Sequence, residues 1–213
     1  MDSTRRTFLA QGAGAFALLF LQSLTPELIA QAHEHAKAAS ASGNLETFRF
    51  FTRQEAADFD AFAAQIIPTD ETPGAHEAGA VYFADYVLSS INPEQQQDFH
   101  GALALLRVAA SEVQPVVASF ASLPADKQIA LMKAVEKPPA LASEDKSSPG
   151  RREAEQRAEA FGTLRFAVLA GTFCDPSLGG NKFKIGWKLI GFDDQAYWAP
   201  PFGYYDAHAE EKA

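Results

Sequence analysis

The sequence predicts an all-α protein, an irregular bundle of about five helices followed by a long aromatic-rich C-terminal arm. Apolar residues recur at helical spacing in successive segments, and capping residues and prolines mark the ends of those segments. No stretch alternates apolar and polar residues for long enough to predict a β-strand. With 213 residues, of which 47% are hydrophobic and 21% charged, the chain is sufficient for one globular domain.

Residues 1–32 have the anatomy of a twin-arginine export signal. Arg5 and Arg6 precede Phe8 and Leu9, and a weakly apolar stretch rich in Ala and Gly follows. This stretch is shorter than the roughly 20 apolar residues of a membrane-spanning helix, and the Ala-x-Ala at 30–32 is typical of a cleavage site. We therefore predict export to the periplasm, at the outer face of the inner membrane, with residues 33–47 as a mobile linker. A leader that is retained as an anchor is the alternative.

Two helices are predicted in the first part of the domain. The first begins after Thr52, because Thr52 and Glu55 have the spacing of a capping box, and it ends at Pro68. Its apolar stripe consists of Phe59, Phe62, Ala63, Ile66 and Ile67. After a turn-rich loop at 68–74, a second helix is predicted from Ala75 to about Ser90. Its expected core residues are Val81, Tyr82, Tyr86 and Leu88.

Two further helices follow. Asn92 and Pro93 are typical of an N-cap and a first helical position, and Gln114-Pro115 breaks or kinks the run. The apolar positions between them are Phe99, Ala102, Leu103, Leu106, Ala110 and Val113. The next helix opens at 122–124 and holds Ile129, Met132 and Val135.

The last predicted helix, Arg151 to Phe173, follows a polar, proline-rich linker at 137–150. Its apolar residues occupy two faces: Phe161, Leu164 and Val168 on one, Phe166, Leu169 and Phe173 on the other. A helix that is apolar on two faces is usually central to its bundle. The helical domain is therefore predicted over residues 48–174, and residues 175–213 form the arm and tail.

The arm is rich in turn formers and aromatic rings. Gly179-Gly180-Asn181 favours a turn, and the segment at 197–205 combines aromatic residues with two prolines and cannot be helical. Such a segment either straps across the bundle of its own chain or binds a partner, since aromatic residues are enriched in interface cores. These two interpretations are compatible. The predicted partner-binding residues are Asp175, Pro176, Gly179, Gly180, Asn181, Trp187, Trp198, Phe202 and Tyr204.

Charge and composition exclude several function classes. The formal net charge of −9 argues against a nucleic-acid role, which requires a basic face. The single cysteine, Cys174, excludes an internal disulfide and a Cys-x-x-Cys-His haem site. No nucleotide-binding loop and no metal-ligand spacing is recognisable, so no cofactor of the chain's own is expected. His76, beside Asp70, Glu71 and Glu77, could form an acid/base cluster or simply lie in a solvated loop.

Two motifs resemble the signatures of a known family. Residues 66–75 (Ile-Ile-Pro-Thr-Asp-Glu-Thr-Pro-Gly-Ala) and 77–80 (Glu-Ala-Gly-Ala) resemble the opening signature of the gluconate 2-dehydrogenase subunit 3 family. Asp175-Pro176, Gly179-Gly180-Asn181 and residues 186–192 (Gly-Trp-Lys-Leu-Ile-Gly-Phe) resemble its closing signature. The resemblance spans residues 48–193, which is nearly all of the chain after the leader.

The resemblance implies a non-catalytic accessory subunit of a membrane-associated, flavin-dependent sugar or sugar-acid dehydrogenase. In such complexes a large FAD subunit oxidises an alcohol, and a cytochrome c subunit with haem c takes the electrons onward. The small subunit stabilises the flavoprotein and escorts it through twin-arginine export. Two alternatives stay open: a small periplasmic enzyme that uses the cluster around His76, and a free-standing module that binds a sugar acid.

Overall fold

The computed structural model describes residues 25, 48–117, 119–137, 150–192 and 194, and within them the protein is all-α. Six α-helices follow one another without a β-strand in these ranges: α1 (Arg53–Ile66), α2 (Ala80–Leu88), α3 (Pro93–Val113), α4 (Ala125–Glu136), α5 (Arg151–Phe173) and α6 (Ile185–Leu189). Short 3₁₀ turns lie at Phe120–Ser122, Pro176–Leu178 and Lys182–Lys184. No helix in this part of the chain is long and apolar enough to cross a membrane.

The predicted caps of α1 and α3 are confirmed. The Thr52 side chain accepts a hydrogen bond from the Glu55 amide, and the Glu55 carboxylate accepts one from the Thr52 amide. Asn92 caps α3 by accepting from the Gln95 amide, with Pro93 in the first turn. Glu55 also contacts His100 Nδ1 at 2.9 Å, so the cap of α1 is tied to α3.

Helix α5 is the centre of the bundle, as its two apolar faces predict. It packs against α1, α2, α3, α4 and α6. Phe161, Leu164 and Val168 are buried, whereas Leu169 on the other face is exposed. Its contacts with five other helices make it the central element, although the side of Leu169 stays open to solvent.

The core is built largely from aromatic rings, in line with the abundance of phenylalanine. Phe59 stacks on Phe51 with ring centroids 5.5 Å apart, and Phe62 meets Phe161 edge-on, also at 5.5 Å. The largest completely enclosed side chains are Tyr86, Phe59, Phe62, Phe83, Phe99 and Phe120. Offset and edge-on ring pairs such as these add stability beyond the area that they bury.

The structure differs from the sequence prediction at three helix positions. The second helix begins at Ala80 rather than Ala75, because residues 75–79 form an irregular turn that ends at Gly79 with φ 73°. Val113 and Ile129, predicted as core residues, are exposed. Helical spacing shows which side chains share a face, but not how far a neighbouring element covers that face.

One buried carboxylate positions the segment that enters the bundle. Asp85 on α2 has no exposed surface, and its two oxygens accept hydrogen bonds from the backbone amides of Arg49, Phe50 and Phe51, each at 2.9 Å. These amides precede α1 and have no helical partner. Asp85 therefore fixes the backbone that carries Phe51 into the core.

Candidate partner-binding surface and the cleft at His76

The closing motif is held against the end of α5 by Asn181. This residue is completely buried and lies in the left-handed region, with φ 47°. Its amide donates to Gly171 O at 2.8 Å, its side-chain Nδ2 donates to Cys174 O at 2.8 Å, and its Oδ1 accepts from the Gly186 amide at 2.8 Å. One side chain thereby satisfies a carbonyl at the end of α5 and an amide of α6, groups that helix ends leave unpaired.

Glycine is required by close backbone contact at two positions of the same motif. A Cβ on Gly180 would lie 2.1 Å from Gly171 O, and a Cβ on Gly186 would lie 2.0 Å from Thr172 O. Both obstacles are backbone atoms of α5, which cannot move aside without displacing the helix. The motif therefore packs its backbone directly on the central helix.

The two predicted family motifs meet in space. The Lys182 amide donates to Ala78 O at 2.9 Å, which joins the closing motif to the opening one. Ala80 lies against Gly171, where a Cβ would come within 2.9 Å of the Ala80 Cα. The opening motif is also braced internally, since Glu77 accepts hydrogen bonds from Thr69 Oγ1 and the Gly74 amide. The motif residues thus build one continuous joint around the end of α5.

Beyond this joint the chain exposes apolar side chains. Phe183, Ile190 and Phe192 are 73%, 62% and 45% exposed, and Trp187 is half-buried. The Trp187 indole donates to Phe173 O at 3.0 Å, and its ring centroid lies 5.0 Å from that of Phe192. We call these four side chains the aromatic patch.

Basic residues accompany the aromatic patch. The ammonium of Lys182 lies 5.3 Å from the centre of the Phe183 ring, and that of Lys184 lies 5.9 Å from the centre of the Trp187 ring. Lys184 also forms an ion pair with Asp194. We call Lys182, Lys184 and the exposed Lys188 the lysine rim. Because Lys184 is paired with Asp194, the positive charge of the lysine rim comes from Lys182 and Lys188.

The predicted partner-binding residues take different positions around this surface. Asp175 and Pro176 open a 3₁₀ turn, where the Asp175 carboxylate accepts from the Ser177 amide at 2.8 Å, and Gly179 closes it with φ 93°. Gly180 and Asn181 are buried and support the surface rather than form it, while Trp187 lies within it. The remaining predicted partner-binding residues, Trp198, Phe202 and Tyr204, lie outside the described residues. The residues predicted as the export signal also lie outside them: Arg5, Arg6, Phe8 and Leu9.

Cys174 is expected to be unreactive while the protein is folded. Burial, together with the nearby charge of Asp175, raises the pKa of the Cys174 thiol to about 12, and the thiol donates weakly to Gly171 O at 3.6 Å. Because the thiolate is the reactive species, a disulfide reagent at pH 8 should label the native chain at least about a hundredfold more slowly than the urea-unfolded chain. Equal labelling rates in the two states would contradict the packing described for the joint.

A second candidate site is a cleft of about 280 Å³ between α1 and the opening motif. Its polar lining groups include Arg53, Asp60, His76 and Tyr82, and Phe48 stacks on Tyr82 at 5.8 Å. His76 Nδ1 contacts Asp60 Oδ2 at 2.7 Å. Two of the three acids predicted beside His76 have other partners: Asp70 accepts from Thr72, and Glu77 accepts from Thr69 and the Gly74 amide.

Asp60 was not recognised in the sequence as the partner of His76. Burial raises the pKa of Asp60, and the charge of His76 only partly offsets this. Its Oδ1 is buried without a hydrogen-bond partner within the described chain. The pair is thus a carboxylate and an imidazole at the edge of a small cleft, an arrangement that can accept and donate a proton. Within the described residues no group of His, Cys, Asp and Glu could hold a metal ion.

These features define a class: a small all-α protein whose central helix ends in a braced joint that presents an aromatic, basic surface. The chain belongs to the gluconate 2-dehydrogenase subunit 3 family, because the sequence model of that family matches residues 53–194. The name describes one subunit of a dehydrogenase, which indicates an accessory role beside partner subunits. No curated protein and no solved structure matches the chain.

Proposed function

We propose that the chain is the non-catalytic small subunit of a periplasmic, flavin-dependent sugar or sugar-acid dehydrogenase complex. In this role it stabilises the large FAD subunit and escorts it, already folded, through twin-arginine export. A cytochrome c subunit with haem c completes the complex. The observation that carries the proposal is the joint at the end of α5, where both family motifs meet and present the aromatic patch.

The physical basis of this role is the apolar surface that the chain leaves in contact with water. An exposed ring such as Phe183 contributes little to the stability of its own domain, because its apolar area is not buried. Burial against a partner removes that apolar area from water and stabilises whichever protein it covers. Membership in a family named for a dehydrogenase subunit makes the FAD subunit the natural partner.

The escort role can be tested by co-expression with the FAD subunit of the same organism, tagged and lacking any signal of its own. The change is Arg5→Lys with Arg6→Lys in the leader, and the control is Arg152→Lys at an exposed position of α5. We expect the leader variant to lower the amount of tagged, FAD-containing protein in the periplasmic fraction at least about tenfold, because the paired arginines are the transport signal. The control should not change it. Unchanged periplasmic flavoprotein in the leader variant would contradict the escort role.

The cleft at His76 supports a second candidate function, a small periplasmic enzyme or a module that binds a sugar acid. The observation that favours it is that Asp60 is kept beside His76 although burial opposes its charge, since groups retained at a cost to stability are frequent at functional sites. Turnover or ligand binding by the isolated chain that His76→Ala abolishes would favour this candidate over the accessory role.

A further inference from the structure

We propose that the aromatic patch inserts into an apolar socket on the partner protein, and that carboxylates at the edge of this socket pair with the lysine rim. The inference rests on the proposed function, because it takes the FAD subunit as the partner. It goes further in naming the contact residues and the chemistry of the surface that receives them.

The first support is that the exposed aromatic rings of the described chain lie in one segment. Elsewhere in the described chain the large exposed apolar side chains are aliphatic: Val108, Val113 and Val116 at and after the end of α3, Ile129 on α4 and Leu169 on α5. Exposed aliphatic side chains are normal on a protein surface. The exposed aromatic rings, Phe183 and Phe192, instead lie together within residues 183–192, and the half-buried Trp187 of this segment contacts Phe192. A local group of exposed rings marks an interaction site.

The second support is backbone strain. Phe183 and Lys184 lie in the left-handed region, with φ 56° and φ 59°, directly after Asn181 with φ 47°. This region is unfavourable for residues with a Cβ, especially bulky ones. The anchored residues on both sides, Asn181 and Gly186, keep the turn in place through their hydrogen bond. Strain that directs a ring into water is explained if a partner covers that ring.

The third support is charge. The chain carries a net charge of −9, so a uniformly acidic partner would be repelled by most of its surface. Within the lysine rim, Lys182 and Lys188 supply local positive charge, since Lys184 is paired with Asp194. Lys182 and Lys184 lie over rings of the patch. A protein socket needs charge complementarity only where its carboxylates meet the lysine rim. An extended anionic membrane would also face the acidic remainder of the chain and would be repelled by it. The charge distribution therefore favours a protein socket over a lipid surface.

The rigidity of the patch favours the same conclusion. The Trp187 indole is fixed by its bond to Phe173 O, and its ring contacts Phe192. The segment that carries the rings is pinned to α5 through Asn181. A preorganised surface loses little conformational entropy on docking, which increases affinity for a matching socket.

The test uses the purified full chain and the purified FAD subunit, with affinity measured by interferometry. Phe183→Gly is the first variant: we expect it to weaken binding at least about tenfold, while the melting temperature is unchanged or higher because glycine relieves the positive φ. Lys182→Glu with Lys188→Glu should weaken binding by about tenfold and reduce its dependence on salt. The matched controls are Val116→Gly and Lys133→Glu, both at exposed positions away from the patch, and neither should change affinity.

The outcomes separate the two proposals. If the wild-type chain does not bind the FAD subunit at all, the proposed function fails and this inference fails with it. If the wild type binds and the patch and rim variants bind equally well, only the docking surface is wrong. A third outcome, in which these variants lose binding to phosphatidylglycerol vesicles and keep their affinity for the FAD subunit, would overturn the socket in favour of a membrane surface.

Discussion

Replacing Gly180 with alanine is expected to lower the free energy of unfolding by about 3 kcal/mol, at the upper end of the cost of overpacking. The added Cβ would lie 2.1 Å from Gly171 O and 2.9 Å from Cys174 Sγ. Because the first obstacle is backbone of the central helix, the motif must withdraw from α5, and the hydrogen bonds of Asn181 would weaken with it. For a chain of this size the melting temperature should fall by roughly 10 °C.

Thermal unfolding followed by circular dichroism measures this effect, and Gly101→Ala is the matched control. Gly101 lies within α3 with nothing near the position of an added Cβ, so alanine there should stabilise the protein by about 0.5–1 kcal/mol. In a Trp198→Phe background, which leaves Trp187 as the only tryptophan, Gly180→Ala should also shift the fluorescence to longer wavelength. Equal melting temperatures for the two glycine variants would contradict the close packing of the motif.

Replacing Asp85 with alanine is expected to cost about 3–5 kcal/mol, because hydrogen bonds to charged groups contribute more than neutral ones and their loss leaves donors unpaired. Three backbone amides, those of Arg49, Phe50 and Phe51, would lose their acceptor. The Phe51 amide is in a buried bond, where water cannot replace the carboxylate. The segment should then detach, and Phe51 would leave its stack on Phe59.

Urea unfolding at pH 7 measures the loss, with Asp98→Ala as the control at an exposed position of α3. The control should change the free energy of unfolding by less than about 0.5 kcal/mol. The stability of Asp85→Asn should lie between that of Asp85→Ala and that of the control. The asparagine side chain keeps one acceptor oxygen, but its NH₂ group is a donor and would face a backbone N–H that is also a donor. Hydrogen exchange of the Phe51 amide should accelerate in Asp85→Ala. If that variant were as stable as the control, Asp85 would not be the anchor of the entering segment.

The helix ends were predictable where the signal is local. The capping box at Thr52 and the N-cap at Asn92 depend on residues within one turn, so their geometry follows from the residues themselves. The predicted start of α2 was wrong because the turn before this helix is held by contacts with a distant segment, including the hydrogen bond from the Lys182 amide to Ala78 O. Val113 and Ile129 were placed inside because helical spacing does not report which neighbour covers a face.

The candidate sites were harder to predict from the sequence than the helix ends. Trp187 was recognised by its aromatic character, but the exposed Phe183 and Ile190 were not, since their burial depends on the path of a short strained turn. The partner of His76 is Asp60, on the preceding helix rather than among the neighbouring acids. The sequence signal for Asp85 is a single charge within an apolar helix, and a buried carboxylate requires several hydrogen-bond donors.

The sequence by itself determined the all-α class, the central position of the helix at Arg151–Phe173 and membership in the family, because caps, periodicity and motif residues are local properties of the chain. Only the tertiary structure decided that the two motifs form one joint, that Gly180 and Asn181 lie inside it, and that the neighbouring rings point into water. The physical reason is that these features depend on hydrogen bonds and close contacts between segments far apart in the chain, whose positions follow from the packing of all the helices together.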